Sequence, residues 1–204
     1  MIDKMPILLL GAGGHAKACI DVIEQSSHFS IAGLVGAPHE VGNLVLGYPV
    51  LGTDADLPVL RIQFTYALVA IGQIKTPTVR KKAFESLMQH GFILPMIVSP
   101  QAYVSRHATI GAGTIVMHRA IVNAGSIVGS NCIINTCALV EHDVRIDDHC
   151  HLSTRAVLNG AVNVGEGSFI GSASVVREGI TIPSYSVIQM GKRILQHVQE
   201  QSVS

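Results

Sequence analysis

The stretch Ile134–Ser153, INTCALVEHDVRIDDHCHLS, concentrates residue types that move protons or bind metals. His142 stands between Glu141 and Asp143, and His149 and His151 follow within ten residues. A neutral imidazole beside a carboxylate is suited to take up a proton near pH 7, with the carboxylate orienting the ring. A metal site and a solvated surface turn are the other readings of the same residues. Zinc needs ligands that converge on one point, and the spacing of His142, His149 and His151 brings no such set together, so no metal is expected. His149 is expected on a surface turn, and His107 and His118 show no partner.

A second group with possible chemistry lies near the start. Gly11-Ala12-Gly13-Gly14-His15-Ala16 fits the loose form G-x-G-x-x-A. Glycines there would let backbone N–H groups and a helix N-terminus approach a phosphate or diphosphate. They serve equally well in a tight strand-to-helix turn that binds nothing. His15 is either a substrate contact or a solvated helix start. A nicotinamide dinucleotide would also want an acid at the end of the second strand to hold its ribose. The chain has Val35-Gly36 there, with Glu40 only after a turn, which argues against that cofactor.

The elements that must position these residues fall into two kinds. From Val104 to Ile188, every sixth residue is aliphatic, fifteen in succession, and the residue two places earlier is in most cases small. Neither a 3.6-residue period nor simple alternation produces that register over some ninety residues. A parallel β-helix does, with short strands, aliphatic side chains filling the interior and small ones at the inward corners. Three hexads make a coil, so residues eighteen apart stack and Cys132 lies beneath Cys150 as core thiols. His142 then falls two places after the inward Val140, on an outward turn that a neighbouring subunit could cover.

The first half alternates strands and helices. PILLL is a buried strand, followed by a helix with Ala16, Cys19, Ile20 and Ile23 on one face, then strands in SIAGLVG and FTYALVAIG. Thr76-Pro77 opens a helix through Met88, and ILPMIVS is a final strand leading into the coil. The fold class is therefore an α/β Rossmann-like domain, residues 1–98, followed by an all-β parallel β-helix, 99–191, and a short tail, 192–204.

Composition limits the partners. Lys plus Arg and Asp plus Glu number 14 each, so no basic field exists for nucleic acid or an anionic membrane. The longest strongly apolar run, MPILLL, is too short to span a bilayer, and a cytoplasmic protein is expected. Charged residues are only 14% and the mean hydropathy is +0.42, which suggests surface covered in an oligomer. The four cysteines form no C-x-x-C pair.

The motif order is GAGGHAK at 11–17, VAIG at 69–72, INT and EHD in the hexads, then LNGAVNVGEGSFIGS at 158–172. It resembles the bacterial hexapeptide-repeat sugar acetyltransferases over about residues 5–190. Those enzymes include N-acetyltransferases of nucleotide-activated 4-amino sugars and O-acetyltransferases of sialic acid. The resemblance implies a left-handed coil, a homotrimer, acetyl-CoA as donor, and direct transfer to a sugar or nucleotide sugar. It implies His142 as general base, Asp143 as the acid orienting it, and the backbone at Gly160 near the thioester carbonyl. His151 would contact the acetyl-CoA, Asn135 would line the same cleft, and Gly11, Gly13, Gly14 and His15 would meet the nucleotide sugar. Two departures stand out. Val35-Gly36 replaces the adjacent aspartates of the amino-sugar enzymes, and MGKRILQHVQEQSVS replaces the usual V-x-G-x-P-A-like ending. A non-catalytic nucleotide-sugar-binding protein is the alternative from another class.

Overall fold

The computed structural model describes residues 4–198. The N-terminal part is a five-stranded sheet made of β1 (Met5–Leu10), β2 (Phe29–Val35), β3 (Leu44–Val45), β4 (Tyr48–Gly52) and β5 (Tyr66–Val69). Its order is β3-β4-β2-β1-β5, parallel except for the β3–β4 hairpin. Helices α1 (Gly14–Glu24), α2 (Leu57–Gln63) and α3 (Thr78–Gln89) connect the strands. Buried on both faces, β1 reads as the unbroken apolar run expected of a central parallel strand. Ala16, Cys19, Ile20 and Ile23 form the buried face of α1, joined by Val22. The β3–β4 hairpin and α2 lie in a segment where the sequence reading places no element. The hairpin closes on Leu46-Gly47, both with positive φ, as a two-residue turn of this kind requires.

From Ile97 onward the chain winds through two-residue strands that form three parallel sheets of six, five and six strands. Each strand pairs with the one eighteen residues away, Ile121 with Tyr103 and Leu139 for example. This is the left-handed parallel β-helix. The aliphatic residues at every sixth place from Val116 to Ile188 are all buried, with Val104 and Ile110 packed against them. The register runs one hexad further at each end, through Val98 and Ile194, so the coil enters the segment read as the tail. Cys132 and Cys150 are buried free thiols, each donating to a carbonyl 3.2 Å away, of Asp147 and Gly165 respectively.

The corners carry a second period that hydropathy does not display. Every sixth residue from Gly113 to Gly191 has positive φ, between 53° and 76°, and nine of these fourteen are not glycine. A left-handed residue lets the chain turn sharply enough to start the next strand, at a steric cost that falls on its Cβ.

The two parts share a core. On the first sheet of the coil the outward residues Ile115 and Ile133 are fully buried against Ile7, Leu9, Ala16 and Ile20 of the α/β part. ILPMIVS therefore ends differently from the expected sheet strand: Ile93 makes a single bridge to Tyr66, while Ile97–Val98 already belongs to the coil.

The left-handed corners yield a test. Ala173 is exposed at φ 57°, so a larger side chain has room, yet a β-branched one is strained there. Ala173→Val should cost about 1–2 kcal/mol and Ala173→Gly should not, as read from urea midpoints. Equal midpoints would mean that the corners impose no such constraint.

Candidate active site

His142 sits at the corner between the second and third sheets, with Asp143 as the left-handed residue beside it, φ 61°. In extended chain, neighbouring side chains point to opposite faces. At this corner they converge, and His142 Nδ1 lies 2.9 Å from Asp143 Oδ2. With Nδ1–H donating to the carboxylate, Nε2 keeps its lone pair. Both side chains are about two-thirds exposed, 65% and 67%. Glu141 lines the cleft beside His142, its Oε2 accepting from Asn123 Nδ2 at 3.0 Å and from the His142 N–H at 3.3 Å.

Gly160 stacks on His142 eighteen residues later. A Cβ built on it would lie 2.7 Å from both Cε1 and Nε2 of the imidazole, so only glycine leaves the ring where it is. The ladder at this corner uses the flanking groups, with Ala161 N–H donating to His142 O. Among the described residues the Gly160 N–H donates to no backbone carbonyl. His142, Gly160, Asn159 and Glu178 line an open cleft of about 540 Å³.

Asn135 and His151 form a separate group with His15. His151 projects from the coil face that packs on the α/β part and is only 6% exposed. Its Nδ1 donates to Gln73 O at 2.6 Å and its Nε2 accepts from Asn135 Nδ2 at 3.1 Å, so both ring nitrogens are engaged within the protein. The rings of His15 and His151 lie 6.4 Å apart, and His15 Nε2 is buried without a hydrogen-bond partner. Burial pushes the His151 pKa down to about 4 and that of His15 to about 3, with the Arg80 guanidinium reinforcing both shifts. No hydrogen bond among the described residues joins this group to His142 and Gly160.

Sequence reasoning missed Arg80. It is 1% exposed and pairs with no carboxylate among the described residues. Nη1 donates to Val69 O at 2.9 Å and Ile71 O at 2.8 Å, and Nε to Asn131 O at 3.1 Å, which spans the two parts of the molecule. Burial lowers its pKa to about 10, leaving it charged at neutral pH. An arginine in a helix with four other charged or amide side chains carries no sequence mark of burial. His149 corrects an expectation. It occupies a turn but is buried, with Asn131 Nδ2 2.9 Å from its Nδ1 and the Phe84 ring of α3 over its edge. His118 also has partners: Ser99 Oγ at 2.7 Å and Asp21 Oδ2 at 2.9 Å. Ser99 is 1% exposed, so this trio ties α1 to the coil and offers no reachable hydroxyl. Among the described residues no group of three or more His, Cys, Asp or Glu is placed to hold a metal.

At the carboxyl end of the α/β sheet, β1 runs into Gly11, φ 122°, where a Cβ would lie 2.8 Å from Ile71 Cγ1 and 3.0 Å from the Ala70 carbonyl. Gly13 and Gly14 are open, and Gly13 caps α1 with no side-chain hydrogen bond. Ala16 N–H donates to Gly13 O at 3.1 Å, and among the described residues the N–H groups of Gly14 and His15 have no hydrogen-bond partner.

A Rossmann-like domain fused to a hexapeptide β-helix with an exposed His–carboxylate pair defines a two-domain hexapeptide-repeat protein. The family described as PglD N-terminal domain matches residues 6–87. A GDP-perosamine N-acetyltransferase of Escherichia coli O157:H7 is 26% identical over 182 residues, 84% of this chain and 78% of that protein. PerB from Caulobacter crescentus, solved with CoA and GDP-perosamine, is 35% identical, with a TM-score of 0.90 over 98% of this chain and 93% of that one. The acetyltransferase domain of PglB from Neisseria gonorrhoeae FA1090, solved with acetyl coenzyme A, is 31% identical, with a TM-score of 0.84 over 94% and 93%. The chain belongs to this family of hexapeptide-repeat sugar acetyltransferases.

The buried imidazoles predict a pH dependence. An unfolded histidine titrates near 6.5, whereas His15 and His151 in the fold stay neutral to about 3 and about 4. Below pH 6.5 the unfolded chain binds the extra protons, so their contribution to stability is full above pH 7 and declines as pH falls. Each should cost up to about 1.4 kcal/mol per pH unit in that window. Urea unfolding at pH 7.5 and 5.5 should show the loss, with a shallower dependence in His15→Asn. Identical dependence in wild type and variant would mean that His15 titrates normally in the fold.

Proposed function

We propose that this chain transfers the acetyl group of acetyl-CoA to the amino group of a nucleotide-activated amino sugar used in surface-glycan synthesis. The observation that carries the reading is the imidazole of His142, held by Asp143 and resting on Gly160 beside an unused backbone N–H. His142 Nε2 takes the proton from the acceptor amine as its nitrogen bonds to the thioester carbonyl carbon. The carboxylate of Asp143 stabilises the imidazolium that forms. Gly160 N–H meets the negative charge that builds on the carbonyl oxygen. The C–S bond then breaks, and the thiol leaves carrying the proton returned through His142. No side chain of the enzyme becomes acetylated.

Asn135 and His151 serve in this reading as the rigid wall toward which the acetyl end of the donor points. The ring of His151 is fixed by its bond to the Gln73 carbonyl. The open α1 N-terminus at Gly13 and Gly14, with Gly11 before it, receives the diphosphate, and His15 stands at the sugar side of that turn. The active form is a homotrimer. The outward residues of the second sheet, Tyr103, Ile121, Leu139, Val157 and Val175, make an unbroken apolar column beside the His142 corner, three of them exposed. A second copy covering that column would also close the open cleft around the imidazole and exclude water from it. The protein is placed in the cytoplasm in this reading, and no described helix is long and apolar enough to cross a membrane.

The test is release of free CoA thiol from acetyl-CoA with a panel of GDP- and UDP-linked 4-amino sugars, free sialic acid and its nucleotide form. Turnover is expected on an amino-sugar nucleotide. His142→Ala should lower kcat by about 10²–10⁴ with an unchanged melting temperature, and Gly160→Ala should do the same by displacing the ring. Turnover confined to a sialic acid would move the acceptor to a hydroxyl. No acetyl-CoA binding at all would favour a non-catalytic sugar-nucleotide binder.

A further inference from the structure

The end of β2 carries no acid in the sequence, yet the fold brings one there. Past Val35 the chain makes a single 3-10 turn, Pro38–Glu40, that sends the Glu40 side chain back toward the strand it has just left. Its Oε2 accepts the Ala37 N–H at 2.8 Å. A Cβ built on Gly36 would lie 2.7 Å from that same oxygen, so the carboxylate occupies the space in which a side chain at position 36 would begin. Gly36 and Glu40 are thus one arrangement: the glycine is needed because the acid arrives from four residues downstream. The second oxygen, Oε1, makes no hydrogen bond among the described residues, and Glu40 lines a cleft of about 470 Å³ at the carboxyl ends of β1 and β2.

The rest of that cleft decides what the oxygen can meet. Besides Glu40 its lining includes the apolar Leu10, Val35, Ala37 and Ile71, a second acid in Asp54, and Gly11, which leads to α1. The neighbouring Thr53 hydroxyl is already committed to Asp56 Oδ2 at 3.0 Å. A carboxylate repels phosphate, so an anionic group lies at the α1 end, and the group beside Glu40 is a hydrogen-bond donor. At the crevice outside the carboxyl ends of strands in an open α/β sheet, a ribose diol is the donor that suits an acid in this position. It supplies adjacent O–H groups to an acceptor-only oxygen pair.

We propose that Glu40 holds the ribose 2′-hydroxyl of the nucleotide, which makes the substrate class a ribonucleoside diphosphate sugar and excludes 2′-deoxyribonucleotide sugars. This rests on reading the α1 turn and its cleft as the nucleotide end of the site. Val35-Gly36 is then a relocation of the ribose-holding acid and not its loss.

Calorimetric titration of the full chain with GDP and 2′-deoxy-GDP tests the assignment without turnover. The wild type should bind GDP about tenfold or more tightly than its 2′-deoxy form, the scale of one charge-assisted hydrogen bond. Glu40→Ala should bind both alike, at the affinity wild type shows for 2′-deoxy-GDP. Glu40→Gln keeps an oxygen for the Ala37 N–H and so keeps the turn, and it should retain only a small preference. Equal affinities in the wild type, or a preference that survives in both variants, would overturn the proposal. If amino-sugar nucleotides are turned over while GDP and 2′-deoxy-GDP bind equally, only the Glu40 assignment fails. If neither nucleotide binds and no sugar nucleotide is turned over, the nucleotide reading of the cleft fails with it.

Discussion

Eighteen residues separate each short strand of the coil from the one stacked upon it, and the placement of every functional side chain in the C-terminal part follows from that interval. The interval is enforced from inside. Aliphatic side chains at every sixth place fill the core without gaps, and a slip of one residue would turn each of them outward. Because the stack cannot slip, Gly160 must lie over His142, and Asn135 and His151 must stand at the edge and on the outside of the face that the α/β part covers. Few protein architectures leave so little freedom to a turn residue, and this one uses the rigidity to hold an exposed imidazole without burying it.

The second constraint is the junction between the two parts. Apolar burial of Ile115 and Ile133 supplies attraction but little orientation, since hydrophobic contact is non-directional. Direction comes from polar groups that would be costly to bury unpaired. Arg80 spends its charge on the carbonyls of Val69, Ile71 and Asn131, and Gln73 donates from its side chain to Gly167 O at 3.0 Å while its own carbonyl receives His151. These bonds fix the loop after β5 against the coil. They also bury His15 and His151 near a permanent cation, and the burial, reinforced by that charge, keeps both rings neutral. His151 is thereby committed to fixed hydrogen bonds and His15 is held neutral beside it, while His142, on the open corner, keeps a free lone pair.

Much of this was legible in the sequence, and the limits have physical causes. The six-residue period shows the coil because burial selects side-chain size one position at a time. The buried face of α1 shows itself in the same way, through Ala16, Cys19, Ile20 and Ile23. His142, Asp143 and Gly160 are singled out by the family resemblance, and stacking at eighteen is what sets Gly160 against His142. What periodicity does not record is which outward face another element covers. His149 reads as a surface turn because nothing local announces that Phe84, some sixty-five residues earlier in the chain, lies on it. Arg80, Gln73 and the Ser99–His118–Asp21 connection escape for the same reason, since each is a polar contact between the two parts of the chain. The β3–β4 hairpin escapes because its strands are too short to display alternation.

The convergence of His142 and Asp143 depends on backbone conformation more than on the identity of the pair. Consecutive residues in a strand cannot bond through their side chains, so a histidine and an adjacent acid become a proton-handling pair only where the chain reverses between them. The corner supplies that reversal through a left-handed residue, and aspartate, like asparagine, tolerates left-handed φ better than longer or branched side chains do. The same geometry at Asn131 and His149 yields a buried bond between corners stacked eighteen apart, with no exposed lone pair. One repeated turn thus gives two outcomes, and what separates them is cover: α3 and Phe84 close the corner at His149, whereas no described element closes the one at His142. Chemistry is possible at the corner the fold leaves open.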